Sequence, residues 1–375
     1  MSKNSFHFIW VTTLLLVACA PESSTSSTGG YRGASTSRGE GNSLGDVQNN
    51  QEDTTQQQDT GGANPTPAST AQTQNASANT VMGVVFSGDF YDKNNASSAS
   101  IAQQMQRRGW VVEQLYAIRD GRDVEGWANQ HADVACATQQ NANLIIRFDY
   151  KQGQTVPTPG EVGVFSGPVV RLVQAIASRC PNNPTRHFII GNEPNVNRGR
   201  ESGRGECAEN ASACEPGNYA QVYNAMRNAI RGAMGQAVVI AAAPSPSQSD
   251  VSMLAINFYS AVNSAVSVDA WGIHAYRTAS NNSVATVLNT LAPSTAGKDL
   301  YLDELMYYEN NVPQRTPAAV NEAYNDVRAF NRNGGRVRAA TWYTYRGDYG
   351  KDGVQLQGQS GWNRFTEIAR GSSEY

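Results

Sequence analysis

From Val81 to the C-terminus, short apolar runs alternate with longer amphipathic stretches, and this alternation restricts the fold more than any other feature of the 375-residue chain. Eight runs read as strands: "VMGVVFS" near 81–87, "WVVEQLYA" near 110–117, "NLIIRFDY" near 143–150, "RHFIIGN" near 186–192, "AVVIAAAP" near 237–244, "VDAWGIHAY" near 268–276, "DLYLDELMY" near 299–307 and "RAATWYTY" near 338–345. Each is short and rich in branched or aromatic residues, as strands buried on both faces of a parallel sheet are. Between them, "SASIAQQMQRRG", "GPVVRLVQAIASRC", "YAQVYNAMRNAIRGAM" and "AAVNEAYNDVRAFNRNGG" read as helices, the last stopped by Gly334 and Gly335. Eight such β-α units in about 295 residues predict a (β/α)8 barrel, whose usual size is roughly 250 residues. A doubly wound open sheet is the competing architecture, but "SGDFYD" stands where that fold needs a Gly-rich phosphate turn.

Ahead of this domain, 81–375, the composition changes twice. Residues 1–18 carry Lys3, an apolar core from Phe8 to Val17 and then small residues, a secretory signal too short to span a bilayer. Residues 20–80 are Ser, Thr, Gln, Asn, Gly and Asp with hardly an aliphatic side chain. Such a segment buries too little apolar surface to offset its ordering entropy, and 19–80 is expected to be a disordered tether.

A formal net charge of −3 points to no nucleic-acid partner. Cys136, Cys180, Cys207 and Cys214 form an even set in an exported chain, which favours disulfides over a metal. Of the three possible pairings, Cys207 with Cys214 closes the short loop "CAENASAC" and leaves Cys136 for Cys180. No C-x-x-C occurs and the chain has only four His, so neither a metal site nor a cofactor is expected.

The run "HFIIGNEPN" sets Asn192 and Glu193 directly behind apolar strand residues, and Pro194 removes a ladder donor just after them. On the fourth strand of a barrel, Glu193 then stands at the C-terminal rim, where such barrels build their sites. The seventh run carries a second acidic pair, Asp303 and Glu304, at the same rim. Two carboxyls across the mouth could serve glycoside hydrolysis, one protonating the leaving oxygen and one attacking the anomeric carbon or activating water. His274 and Tyr276 alternate with Ala275 on the sixth run and so share a face. Trp342 lies on the eighth run, and Arg147 near the end of the third is either a charge partner of a rim carboxylate or a salt-bridged barrel residue. The loop 194–217 is longer than a plain connection and is expected to wall the cleft.

With its Asn-Glu-Pro motif on strand four and glutamate on strand seven, the chain resembles the clan A glycoside hydrolases. The resemblance implies Glu193 as acid/base, Glu304 as nucleophile and a retaining mechanism, with Asn192 donating to the sugar's 2-hydroxyl. It further implies that Tyr276 hydrogen-bonds Glu304, that His274 supports the site or touches substrate, and that Trp342 floors it. Strict strand alternation lets only one of Asp303 and Glu304 face the cleft, and the clan pattern selects Glu304. Leu305 and Met306 depart from the aromatic and small residue that often follow that glutamate. Leu16-Val17-Ala18-Cys19 likewise resembles a bacterial lipobox, which makes Cys19 the lipidated mature N-terminus.

The expectation is a monomeric retaining glycosidase, lipid-anchored to a membrane of the bacterial cell envelope and acting on a β-linked oligo- or polysaccharide. A non-catalytic saccharide-binding lipoprotein on the same barrel is the competing reading.

Overall fold

The computed structural model describes residues 82–87, 98–105, 109–196, 206–207, 209–246, 253–277, 283–309, 312–343 and 360–371. All lie in one compact unit, Ala71–Tyr375. The residues read from the sequence as signal peptide, lipidated Cys19 and tether fall outside the described residues.

All eight runs form strands: β1 (Met82–Ser87), β2 (Trp110–Tyr116), β3 (Asn143–Asp149), β4 (His187–Ile190), β5 (Val238–Ala241), β6 (Ala270–Arg277), β7 (Asp299–Glu309) and β9 (Val337–Trp342). Each pairs in parallel with its neighbours, and β9 closes on β1. The two-residue β8 (Val312–Pro313) is a hairpin arm antiparallel to the end of β7. A helix follows each barrel strand: α1 (Ser98–Met105), α2 (Val124–Gln139), α3 (Val162–Arg179), α4 (Pro216–Ala233), α5 (Ala255–Ala265), α6 (Val284–Leu291), α7 (Pro317–Arg332) and α8 (Ser360–Gly371). The architecture is a (β/α)8 barrel, as the alternation predicts.

Local chemistry explains where elements begin. Helix α3 starts at Val162, five residues before the expected Gly167, directly after a 3-10 turn over Pro159–Glu161 in which Glu161 turns back to accept from the Thr158 N–H at 2.8 Å. Asp123, Ser283 and Thr316 cap α2, α6 and α7 by accepting backbone N–H groups.

Helix tyrosines pin the strand ends. Tyr219 on α4 donates to the Ile190 carbonyl and accepts from Ala242 N–H, tying β4 to the exit of β5. Tyr259 on α5 donates to the Gly272 carbonyl on β6. Both side chains are buried, so these hydroxyls satisfy themselves while fixing the rim.

Both disulfides form as the spacing suggests. Cys136–Cys180 ties the outer helices α2 and α3, and Cys207–Cys214 closes the loop after β4.

Candidate active site

Glu193 reaches the rim through a sharp turn. Strand β4 ends at Ile190, and Gly191 turns the chain with φ +83° before Asn192 and Glu193. A Cβ on Gly191 would come within 2.5 Å of Val156, so only glycine fits. The strand is therefore ended by Gly191, not by Pro194 as the sequence suggests. Glu193 itself has φ +35°, a strained value for a residue with a side chain, of the kind that costs roughly 1–3 kcal/mol and persists where a site is over-determined. Asn195 supplies that restraint: its buried side chain donates to the Ser245 and Met253 carbonyls and accepts from Ser245 N–H.

Asp303 and Glu304 both face the interior, which corrects the expectation that only one can. The β7 register slips against β6 between Gly272 and His274 and against β9 between Leu302 and Leu305. Such a bulge breaks the two-residue alternation and re-aims side chains. Gly272 makes room for it, since a Cβ there would meet Asp303 Oδ1 at 3.0 Å.

The two oxygens of Glu304 have separate holders. Arg147 Nη1 donates to Oε1 at 2.5 Å, and the Tyr276 hydroxyl donates to Oε2. Arg147 is thus both a barrel residue and a partner of a rim carboxylate. It also lies 3.6 Å from Asp303 and 3.7 Å from Asp149. Burial opposes its charge, but Asp149, Glu304 and Asp303 outweigh that and hold its pKa above the ordinary arginine value. Asp149 is itself pushed up to about 6, mainly by burial, against the pull of Arg147 and of Gln114, which donates to it at 2.7 Å.

His274 stands between the acids. Its Nδ1 lies 2.8 Å from Glu193 Oε1, and its Nε2 lies 3.5 Å from Asp303 and 3.8 Å from Glu304 Oε1. One ring bridging both keeps the Glu193 and Glu304 oxygens within about 9 Å, a span compatible with either glycosidase geometry. Burial disfavours the imidazolium, yet Glu304, Asp303 and the bond to Glu193 more than offset it, so its pKa stands well above the usual histidine value. The ring has no exposed surface, whereas the Glu193 side chain is 19 % exposed and that of Glu304 6 %. His274 therefore holds the carboxyls rather than meeting solvent.

Residues 121–369 match the family described as the glycosyl hydrolase catalytic core. The chain belongs to this family. Membership makes it a glycosidase, and solved barrels agree in fold. A GH5-4 broad specificity endoglucanase from Clostridium acetobutylicum is similar at TM-score 0.51 and 12 % identity, over 77 % of this chain and 96 % of that one. ZgEngAGH5_4, solved in complex with a cellotriose, is similar at TM-score 0.50 and 16 % identity, over 77 % and 94 %. No curated protein matches the chain in sequence.

Two further positions were singled out from the sequence, Asn192 and Trp342. Asn192 is buried, with Nδ2 donating to Glu206 at 3.2 Å and Oδ1 lacking a hydrogen-bond partner. Trp342, expected as the floor, has no exposed surface, and its Nε1 has no hydrogen-bond partner. It pairs in register with Val84 on β1 and with Leu305 on β7, the strand that carries Asp303 and Glu304.

Asp149, Gln114 and Glu206 join the cluster without having been singled out from the sequence. Asp149 was readable as the acid two residues past Arg147 on one strand face, a period-two spacing. Glu206 carries no such signal, because it reads as one more polar residue in a polar loop. Among the described residues, no three His, Cys, Asp or Glu side chains are arranged to hold a metal ion.

Proposed function

We propose that this glycosidase cleaves β-linked O-glycosidic bonds of an oligo- or polysaccharide with retention of configuration, Glu304 acting as nucleophile and Glu193 as acid/base. The observation that carries the assignment is the difference in how the acids are held. Glu304 has a cation on one oxygen and a phenol on the other, contacts that fix and orient its carboxyl for attack. Glu193 has one imidazole contact and more open surface, which suits a group that exchanges protons with a leaving oxygen and then with water.

In the first step Glu304 attacks the anomeric carbon and forms a glycosyl ester while Glu193 gives its proton to the leaving oxygen. In the second, Glu193 takes a proton from water, which displaces Glu304 from the same carbon. Asn192, with one Nδ2 proton and Oδ1 left over, meets the sugar's 2-hydroxyl. Tyr276 and Arg147 hold the nucleophile, His274 holds both acids, and Trp342 supports the site from behind. The β-linked cellotriose named for one structural neighbour supports a β-glycan as substrate class. We further propose attachment of the chain to a bacterial envelope membrane through lipidated Cys19, at the end of a disordered tether over 19–80.

Proton NMR of the first product formed from a β-glucan, mannan, xylan or galactan tests the mechanism. A β-anomer that only later mutarotates is expected, and an α-anomer appearing first would replace retention with inversion.

A further inference from the structure

Glu206 lies 13 residues past Glu193, on a loop whose composition gives no reason to place it in the site. Its main chain is tied down on both sides. The Glu206 carbonyl accepts from Thr155 N–H at 2.9 Å, and Cys207 forms a β-bridge with Gln154. Cys207 is also bonded to Cys214, and both pack with Ala213 in a small buried cluster separate from the barrel core. The side chain then turns inward, where its Oε1 accepts from Asn192 Nδ2.

Thr155 makes this more than a loop closure. The residue that donates its N–H to the Glu206 carbonyl also donates its hydroxyl to the Asn192 carbonyl at 2.7 Å. Asn192 is therefore held at its main chain by Thr155 and at its side chain by a group that Thr155 also anchors. What remains unsatisfied is Asn192 Oδ1, buried and without a partner, which is what a group awaiting a hydroxyl presents.

We propose that Glu206, fixed by the Cys207–Cys214 loop, is a positioning residue of the glycosidase site that orients the Asn192 amide toward the sugar's 2-hydroxyl. The inference rests on the reading of Asn192 given above. The charged groups facing Glu206 are Glu193, Asp149 and Arg147; burial, then the repulsion of Glu193 and Asp149, pushes its carboxyl up to about 8 against the attraction of Arg147. The raised carboxyl favours the protonated form, which orients Asn192 without adding a further negative charge beside Glu193.

The test uses the 2,4-dinitrophenyl β-glucoside, mannoside, xyloside and galactoside, taking the one turned over fastest by wild type together with its 2-deoxy counterpart. Glu206→Ala should lower kcat on the 2-hydroxy substrate by about ten- to a hundredfold, the scale of a small misplacement at a reacting centre, with KM and Tm little changed. The deficit should vanish on the 2-deoxy substrate. Glu206→Gln keeps the acceptor and should restore kcat at pH 6–7. An unimpaired Glu206→Ala, an equal loss on both substrates, or a Glu206→Gln as poor as the alanine variant would overturn the inference while leaving a retaining wild type intact. A wild type that turns over none of the four, or inverts, removes the catalytic reading and this inference with it.

Discussion

Arg147 donates to Glu304 across 2.5 Å and so joins the third strand of the barrel to the seventh. The same guanidinium neighbours Asp303 and Asp149, all in the barrel interior. Removing a cation from such a group leaves buried carboxylates uncompensated. Arg147→Met is expected to cost about 3–5 kcal/mol of stability and to abolish turnover. Arg147→Lys keeps the charge but not the fork, and should recover stability more than activity. Urea unfolding checks this, and an unmoved midpoint for the methionine variant would mean that the cluster does not need its cation.

Azide separates the roles of the two glutamates. With Glu193→Ala, the glycosyl ester still forms from an activated aryl β-glycoside, and azide should release a β-azide. With Glu304→Ala, azide attacks from the nucleophile's side and should release an α-azide. Products of the same anomeric form from both variants would sink the assignment.

Folding raises the Asp149 pKa above its ordinary value, so the protonated form is favoured in the folded state. The stability this lends is fully present below the usual carboxyl value of 3.8 and is lost as pH rises through about 6. Relative to Asp149→Asn, the wild type should lose on the order of 3 kcal/mol across that window. Denaturation midpoints at pH 4, 5, 6 and 7 measure the difference, and parallel curves would show that Asp149 titrates alike folded and unfolded.

If Cys19 is lipidated, the mature protein should partition into detergent and incorporate a labelled fatty acid. Cys19→Ser should be unprocessed or soluble. Absence of label in the wild type would remove the proposed anchor.

The barrel was legible because its strands are short apolar runs and its helices begin and end with recognisable caps. Glu193 was legible because Asn-Glu-Pro after such a run leaves an acid at the rim. Three things were not. The bulge that turns both Asp303 and Glu304 inward depends on Gly272 of the neighbouring strand, a relation between residues 31 positions apart that no alternation rule contains. The inward turn of Glu206 depends on Thr155 and the disulfide, again non-local. Trp342 reads as a sugar platform from its place on the last barrel strand, but burial is set by what packs around it, and there it has no exposed face.

Under the retaining mechanism proposed above, the single imidazole between the acids constrains the whole reaction cycle. Before the first step, the negative charge of the pair resides on Glu304, at the Nε2 side of His274. Once the ester forms, Glu304 is neutral and Glu193, at the Nδ1 side, carries the charge instead. The total surrounding the ring is the same in both states, so His274 can stay protonated from one end of the catalytic cycle to the other. The anion changes sides while its counterion stands still, and little reorganisation of the surrounding dipoles is needed as the sugar moves from one oxygen to the next.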